Sequence, residues 1–254
     1  MAASLPWTTA WVTGASTGIG RELVLQLAKA GVSVAISARS ASTLAEVAAL
    51  HPNLKAFSVD VTDAAAVQDT ANAVRAHLGS IDLLVLNAGT WSPMMAAKYD
   101  VAAAIQSMNV NYTGTVLPMQ AVMPAMIERK SGHIALVASV AGYRGLAQAA
   151  AYGPTKAALI NLAECLKPDL ARYGVKVSIV NPGFVDTPMT RVNTFPMPFM
   201  ITAPDAATRI ISGLKWGRYE IAFPWPTVVT LKVFRILPNR VFFWLSRIMQ
   251  PPGE

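Results

Sequence analysis

Short apolar runs alternate along the chain with longer stretches in which apolar residues recur at helical spacing. TAWVTGAS (9–16) reads as a strand ending in a glycine-rich turn, and TGIGRELVLQLAKAG (17–31) as a helix with a glycine stop. The same alternation continues with strands in 32–39, 54–63 and 81–89 and helices in 40–51 and 63–79. The segment 99–132 reads as one long helical stretch. A strand (132–142), a helix carrying Tyr152 and Lys156, a strand (173–185) and a last strand, YEIAFP (219–224), follow. Apolar strands alternating with helices predict a parallel sheet covered by helices on both faces. The expected architecture is one doubly wound α/β domain over residues 1–224, followed by an apolar, basic tail over 225–254.

The first turn is the first place where the pattern carries chemistry. TGASTGIG puts glycines at 14, 18 and 20 between a strand and a helix. Such a turn lets the backbone approach a pyrophosphate and aims a helix N-terminus at it, so it is a candidate dinucleotide site. The end of the second strand reads Ser37-Ala38-Arg39-Ser40. A carboxylate there would hold a ribose 2′-hydroxyl and repel a 2′-phosphate. Here Ala38 stands at the acidic position and Arg39 follows, whose planar fork suits a phosphate. NADP(H) is therefore the expected cofactor, with NAD(H) as its rival.

Composition narrows the rest. The 254 residues are 53% hydrophobic and only 14% charged, which suits a large core and excludes a disordered chain. A single cysteine, Cys165, excludes an internal disulfide, and no Cys/His cluster offers a metal site. The net charge of +7 comes with no nucleic-acid-binding motif, so no nucleic-acid partner is expected. No signal peptide is read at the start and no apolar run reaches the roughly 18 residues of a spanning helix. A cytoplasmic protein is expected, with membrane contact, if any, peripheral and through the tail. His51, His77 and His133 are read as structural residues at loop-like positions.

Tyr152 and Lys156, four residues apart, share a helix face, which alone is weak evidence. Several motifs stand around them in a fixed order: TGASTGIG, Asp60-Val61, Asn87-Ala88-Gly89, the NVNYTG stretch around Asn111, Ser139 thirteen residues before Tyr152, YGPTK, and NPGFVDT at 181–187. Over about residues 8–223 the chain resembles the short-chain dehydrogenase/reductase family in its single-domain form of about 250 residues, and so a Rossmann-like fold is implied. The resemblance assigns catalysis to Asn111, Ser139, Tyr152 and Lys156. Tyr152 would be the general acid for carbonyl reduction and the base for alcohol oxidation. Its ordinary pKa of about 10 would be lowered by Lys156 and by oxidised nicotinamide. Lys156 would also bind the nicotinamide ribose, Ser139 would hold the substrate oxygen, and Asn111 would anchor a water linking Lys156 to solvent. The cofactor would be held by Gly14, Ser16, Thr17, Gly18, Ile19, Gly20, Arg39, Asp60, Val61, Asn87, Ala88, Gly89, Tyr152, Lys156, Pro182, Gly183, Val185 and Thr187. Gly153-Pro154 departs from the usual small Ser/Ala pair, but a proline is tolerated in a first helical turn. Relatives are often homodimers or homotetramers, so a homo-oligomer is implied. A cofactor-binding regulator without catalysis is the alternative reading.

The expected substrate lid, about 188–204, holds Met189, Phe195, Met197, Phe199 and Met200. Methionines adapt to apolar ligands, so a hydrophobic ketone or secondary alcohol is one expectation and a lid packed on its own domain the other. From Lys215 onward six basic residues stand against two acidic ones. The tail reads as two short helices split by Pro238, with Val228, Lys232 and Arg235 along one side of the first. Arg240 and Arg247 bracket the aromatic run of the second. Such helices suit a membrane surface, an oligomer contact or a pocket wall.

Overall fold

Seven parallel strands carry the fold in the order β3-β2-β1-β4-β5-β6-β9. They are β1 (Thr9–Thr13), β2 (Ser33–Ser37), β3 (Leu54–Ala56), β4 (Leu83–Leu86), β5 (Gly132–Val137), β6 (Val175–Pro182) and β9 (Glu220–Phe223). A separate two-stranded pair joins β7 (Val185–Asp186) to β8 (Ile201–Thr202). The helices are α1 (Gly18–Lys29), α2 (Ala41–Ala48), α3 (Ala64–Leu78), α4 (Val101–Met108), α5 (Gly114–Glu128), α6 (Gly153–Ala171), α7 (Ala203–Lys215), α8 (Trp225–Ile236) and α9 (Asn239–Ile248). This computed structural model describes residues 4–193 and 195–248. The outermost residues of the expected domain and tail, 1–3 and 249–254, and residue 194 of the expected lid, lie outside the described residues.

The period of two in each strand builds two cores. Ala10 and Val12 of β1 face α1, α2 and α7, where Leu23, Leu27, Leu44 and Ile210 are fully buried. Trp11 points to the other face, among Val74 of α3, Met126 of α5 and Leu159 of α6. Successive side chains of a strand point to opposite faces, so an apolar strand covered on both sides is apolar at every position. Trp11 meets its one polar need by donating its Nε1 to Ser37 Oγ at 2.9 Å. Local signals set several helix starts: Ser40, Asp63 and Thr202 accept the backbone N–H of Thr43, Ala66 and Asp205.

Four expectations are revised. The long stretch 99–132 is helical but not continuous: Asn109–Thr113 forms a π-turn between α4 and α5. The third strand stops at Ala56, so Asp60 and Val61 lie on the loop beyond it. His133 lies on β5 rather than in a loop, buried against Trp7 and bonded to Ser178 Oγ at 2.8 Å. Burial pushes its pKa down to about 4, with Lys176 and Lys167 adding to the effect, so it sits neutral in the sheet. The lid region also ends in regular structure, because 201–202 is β8 and α7 begins at Ala203.

Candidate active site

The strand ends β1, β2, β4, β5 and β6 open on one cavity of about 730 Å³. A doubly wound sheet offers such a crevice at the carboxyl ends of its strands, where the strand order reverses. Here that reversal lies between β1 and β4. Every residue assigned to the cofactor from the sequence lines this cavity, from Gly14 to Thr187.

The glycine turn fits a dinucleotide for steric reasons. Gly14 has φ +66°, and a Cβ there would stand 2.7 Å from Ala88 Cα. Gly18 has φ +55°, and its Cβ would stand 3.0 Å from Thr187 Cγ2. A Cβ on Gly20 would lie 2.2 Å from the Gly14 carbonyl oxygen, so any side chain would force the turn off the start of α1. Thr17 at the N-cap makes no side-chain capping bond, and Gly18, Ile19 and Gly20 of the first turn of α1 line the cavity. Asn87 fastens the turn to β4, donating its Nδ2 to Gly14 O at 2.9 Å and Thr13 O at 3.2 Å.

At the far end of the cavity Ala38, Arg39 and Ser40 face Asp60 and Val61. Asp60 accepts the Thr62 backbone N–H at 2.9 Å and its hydroxyl at 2.7 Å. These bonds hold its carboxyl below the usual range, with a smaller contribution from the Arg39 charge.

The chemistry-bearing residues come from three elements. Ser139 stands just past β5, and Tyr152 is the N-cap of α6, whose first turn accommodates Pro154. Lys156, one turn on, is buried and donates to Val137 O at 2.9 Å. Its Nζ lies 5.5 Å from the centre of the Tyr152 ring. Ser139 Oγ accepts the Ala141 N–H at 3.1 Å and donates to Pro182 O at 3.3 Å, which orients the hydroxyl. All three residues line the cavity. Asn111 stands behind its wall in the π-turn, fully buried. Its Oδ1 accepts the Thr90 N–H at 2.7 Å, and its Nδ2 donates to Thr90 O at 3.1 Å and Thr155 Oγ1 at 3.0 Å. Gly89 fills the gap between Asn111 and Lys156: a Cβ there would stand 3.3 Å from Asn111 Oδ1 and 3.5 Å from Lys156 Nζ.

In the protein alone, burial shifts both titrating groups. Burial raises the Tyr152 phenol to about 12, and the hydrogen bond with Ser139 only moderates this. Burial lowers Lys156 to about 8. Desolvation disfavours the charged form of both groups, so the phenol moves up and the ammonium down.

Sequence reasoning missed several residues of the site. Trp91, two residues past the NAG motif, sets its ring edge-on to Tyr152 with centroids 5.0 Å apart. Its Nε1 donates to Asn193 Oδ1 in the lid region at 2.8 Å. Thr155 lies between Tyr152 and Lys156 in sequence, and only its bond to Asn111 shows a role. Met94 pairs with Ala149, so the strap after Trp91 runs beside the loop that leads to Tyr152.

Comparison with known proteins agrees with this geometry. The family model described as short chain dehydrogenase matches residues 8–195. An uncharacterized oxidoreductase of Myxococcus xanthus is 38% identical over 244 residues, 94% of this chain and 96% of its own length. The mouse dehydrogenase/reductase SDR family member 7 is 36% identical over 190 residues, 71% of this chain and 56% of its own. A short-chain dehydrogenase structure from Streptomyces avermitilis superposes with a TM-score of 0.81 at 26% identity, covering 96% of this chain and 100% of the other. A Burkholderia phymatum short chain dehydrogenase/reductase solved in complex with NAD shares the fold, with a TM-score of 0.83 at 22% identity over 99% and 98% of the two chains. With the glycine turn, Ser139, Tyr152 and Lys156 gathered on one cavity and a family model matching most of its length, the chain belongs to the short-chain dehydrogenase family and is one of its oxidoreductases.

Proposed function

We propose that the protein is an NADP(H)-dependent reductase of hydrophobic ketones, able to run in reverse on secondary alcohols. The observation that carries this reading is the convergence of Ser139, Tyr152 and Lys156 on the cavity that also holds the glycine turn. When bound, the reduced nicotinamide supplies the hydride that adds to the carbonyl carbon. Tyr152 donates its phenolic proton to the carbonyl oxygen as it becomes an alkoxide. A phenol held at about 12 carries that proton at neutral pH. Ser139 shares the hydrogen bonding of the same oxygen and holds it beside the phenol. Lys156, tethered to Val137 O, keeps two N–H donors for the nicotinamide ribose. The Thr90 backbone and the Thr155 hydroxyl use both donors of Asn111 Nδ2 and one lone pair of Oδ1, so a relay water to Lys156 would bind at the spare Oδ1 lone pair.

The cofactor preference rests on Ala38 and Arg39 at the end of β2, where no carboxylate opposes a 2′-phosphate. The alternative, NAD(H), draws on Asp60 near Arg39, whose carboxylate competes with a 2′-phosphate for the guanidinium. The apolar substrate class is supported by Trp91 against the phenol and by Met189 in the cavity wall. The test follows NADPH oxidation against ketones of rising apolar size, with Tyr152→Phe and Arg39→Ala. Tyr152→Phe should lower turnover about 10²–10⁴-fold with NADPH affinity kept. Arg39→Ala should lower the NADPH/NADH preference by roughly tenfold or more, the loss of one charge-assisted contact. Turnover surviving Tyr152→Phe refutes the mechanism. An unchanged ratio in Arg39→Ala refutes the cofactor assignment, and a preference for small charged keto acids refutes the substrate class.

A further inference from the structure

The last two helices present an unusual face. α8 is held to the body by Val228 and Leu231, both buried in the core beneath it, and by Lys232, which pairs with Glu220. Arg144 clamps the junction with α9: its guanidinium donates to Arg235 O at 3.2 Å and Asn239 Oδ1 at 2.7 Å, and lies 4.3 Å from the Phe242 ring centre. Phe242 is buried. The side of α8 that carries Leu231 and Phe234 thus packs on the protein, with Val228 at its edge. Its opposite side, Trp225, Val229, Val233 and Ile236, follows helical spacing and is exposed, Trp225 at 73% and Ile236 at 80%. α8 is therefore apolar on both sides, whereas a normal surface helix turns its one apolar stripe inward. α9 likewise exposes Phe243, Trp244 and Ile248, and Arg240 and Arg247, seven residues apart, share that side of the helix.

The geometry points to a peripheral docking face for an anionic lipid surface, with α8 and α9 lying in the interface. Three features favour this occupant. Residues 225–248 hold four basic residues and no acidic one, so the face complements negative headgroups. Arginines amid exposed aromatic and aliphatic residues match side chains whose stems lie along hydrocarbon with their heads at the headgroup level. A second copy seated face to face would bring arginines together with no carboxylate from the same face to pair with them. Among the described residues no helix is long and apolar enough to cross a membrane, so contact would be in the plane. The start of α8 lies against the cavity wall, where Pro224 and Thr227 stand beside Gly183. The docking does not depend on the catalytic reading, though an apolar substrate would reach the cavity from the same lipid.

Flotation of the full chain with vesicles tests it, using phosphatidylcholine alone and phosphatidylcholine mixed with phosphatidylglycerol. Binding to the anionic vesicles at low salt, weakened by high salt, is expected. Arg240→Gln/Arg247→Gln should lower that partitioning roughly 30-fold, about fivefold per arginine. Phe243→Ser/Trp244→Ser should lower it on both lipids. Circular dichroism and unchanged NADPH affinity check that the variants remain folded. Absence of binding at low salt overturns the proposal, as does binding that neither pair alters. A concentration-dependent dimer in light scattering that Trp225→Glu/Trp244→Glu dissociates, without vesicle binding, overturns it in favour of a second copy.

Discussion

Lys156→Met tests the electrostatics of the site through stability, independently of any substrate. The Lys156 ammonium is buried with a pKa near 8, against about 10.5 in the unfolded chain. Between those values the unfolded state binds more protons than the folded state, so this residue makes stability rise with pH. From pH 7 to pH 10 the rise attributable to Lys156 is about 2.5 kcal/mol, from roughly 1.4 kcal/mol per pKa difference of one. Methionine has similar length and no charge, so its variant lacks this dependence while other titrating groups act alike in both proteins. At pH 7 methionine also removes the burial penalty, partly offset by about 1–3 kcal/mol for leaving the Val137 carbonyl without its donor. Urea unfolding of both proteins at pH 7, 8.5 and 10 measures the difference, which should shift toward the wild type as pH rises. A difference independent of pH would refute the assigned burial of the charged lysine. The variant should lose turnover at every pH, since a more stable fold without the lysine lacks a group the reaction uses.

Tyr152 gives the opposite sign. Its phenol, raised to about 12, keeps its proton in the folded state after the unfolded chain has lost it, so wild type should lose stability relative to Tyr152→Phe between pH 10 and 12. Gly20→Ala drives a Cβ to 2.2 Å from Gly14 O, and the urea midpoint should fall by about 1–3 kcal/mol in stability, together with loss of dinucleotide binding by calorimetry. Asn193→Ala removes the acceptor of Trp91 Nε1 and should raise KM more than it lowers kcat in steady-state assays, because it loosens the lid contact and leaves the phenol in place. Glu220→Ala leaves Lys232 without its carboxylate and Tyr143 and Asn181 without a shared acceptor, so thermal unfolding should show a loss of about 1–3 kcal/mol. The contribution of Glu220 itself should vanish as pH falls through its lowered pKa.

Much of the site was legible because its elements are local in the chain. The glycine turn sits between one strand and the next helix, and the Tyr152–Lys156 spacing is set by helix geometry. Ser139 and the NPGFVDT loop follow strand ends that the apolar pattern marks, and their side chains reach the cavity because parallel strands end on one edge. The third strand and the 99–132 stretch were read at the wrong length or continuity. Their boundaries depend on pairing with β2 and on packing around Asn111, neither of which periodicity records.

The sequence determined the doubly wound alternation, the dinucleotide turn and the order of the chemistry-bearing residues, since backbone periodicity and adjacent turns carry them. Tertiary structure alone decided that Trp91 stands against Tyr152, that Asn111 is held by Thr90 and Thr155, and that burial raises the phenol and lowers the ammonium. It also decided which apolar side of α8 meets the body and which is left outward. These outcomes depend on residues far apart in the chain and on how much water each group loses when they meet, and a linear pattern of apolar and polar positions holds neither quantity.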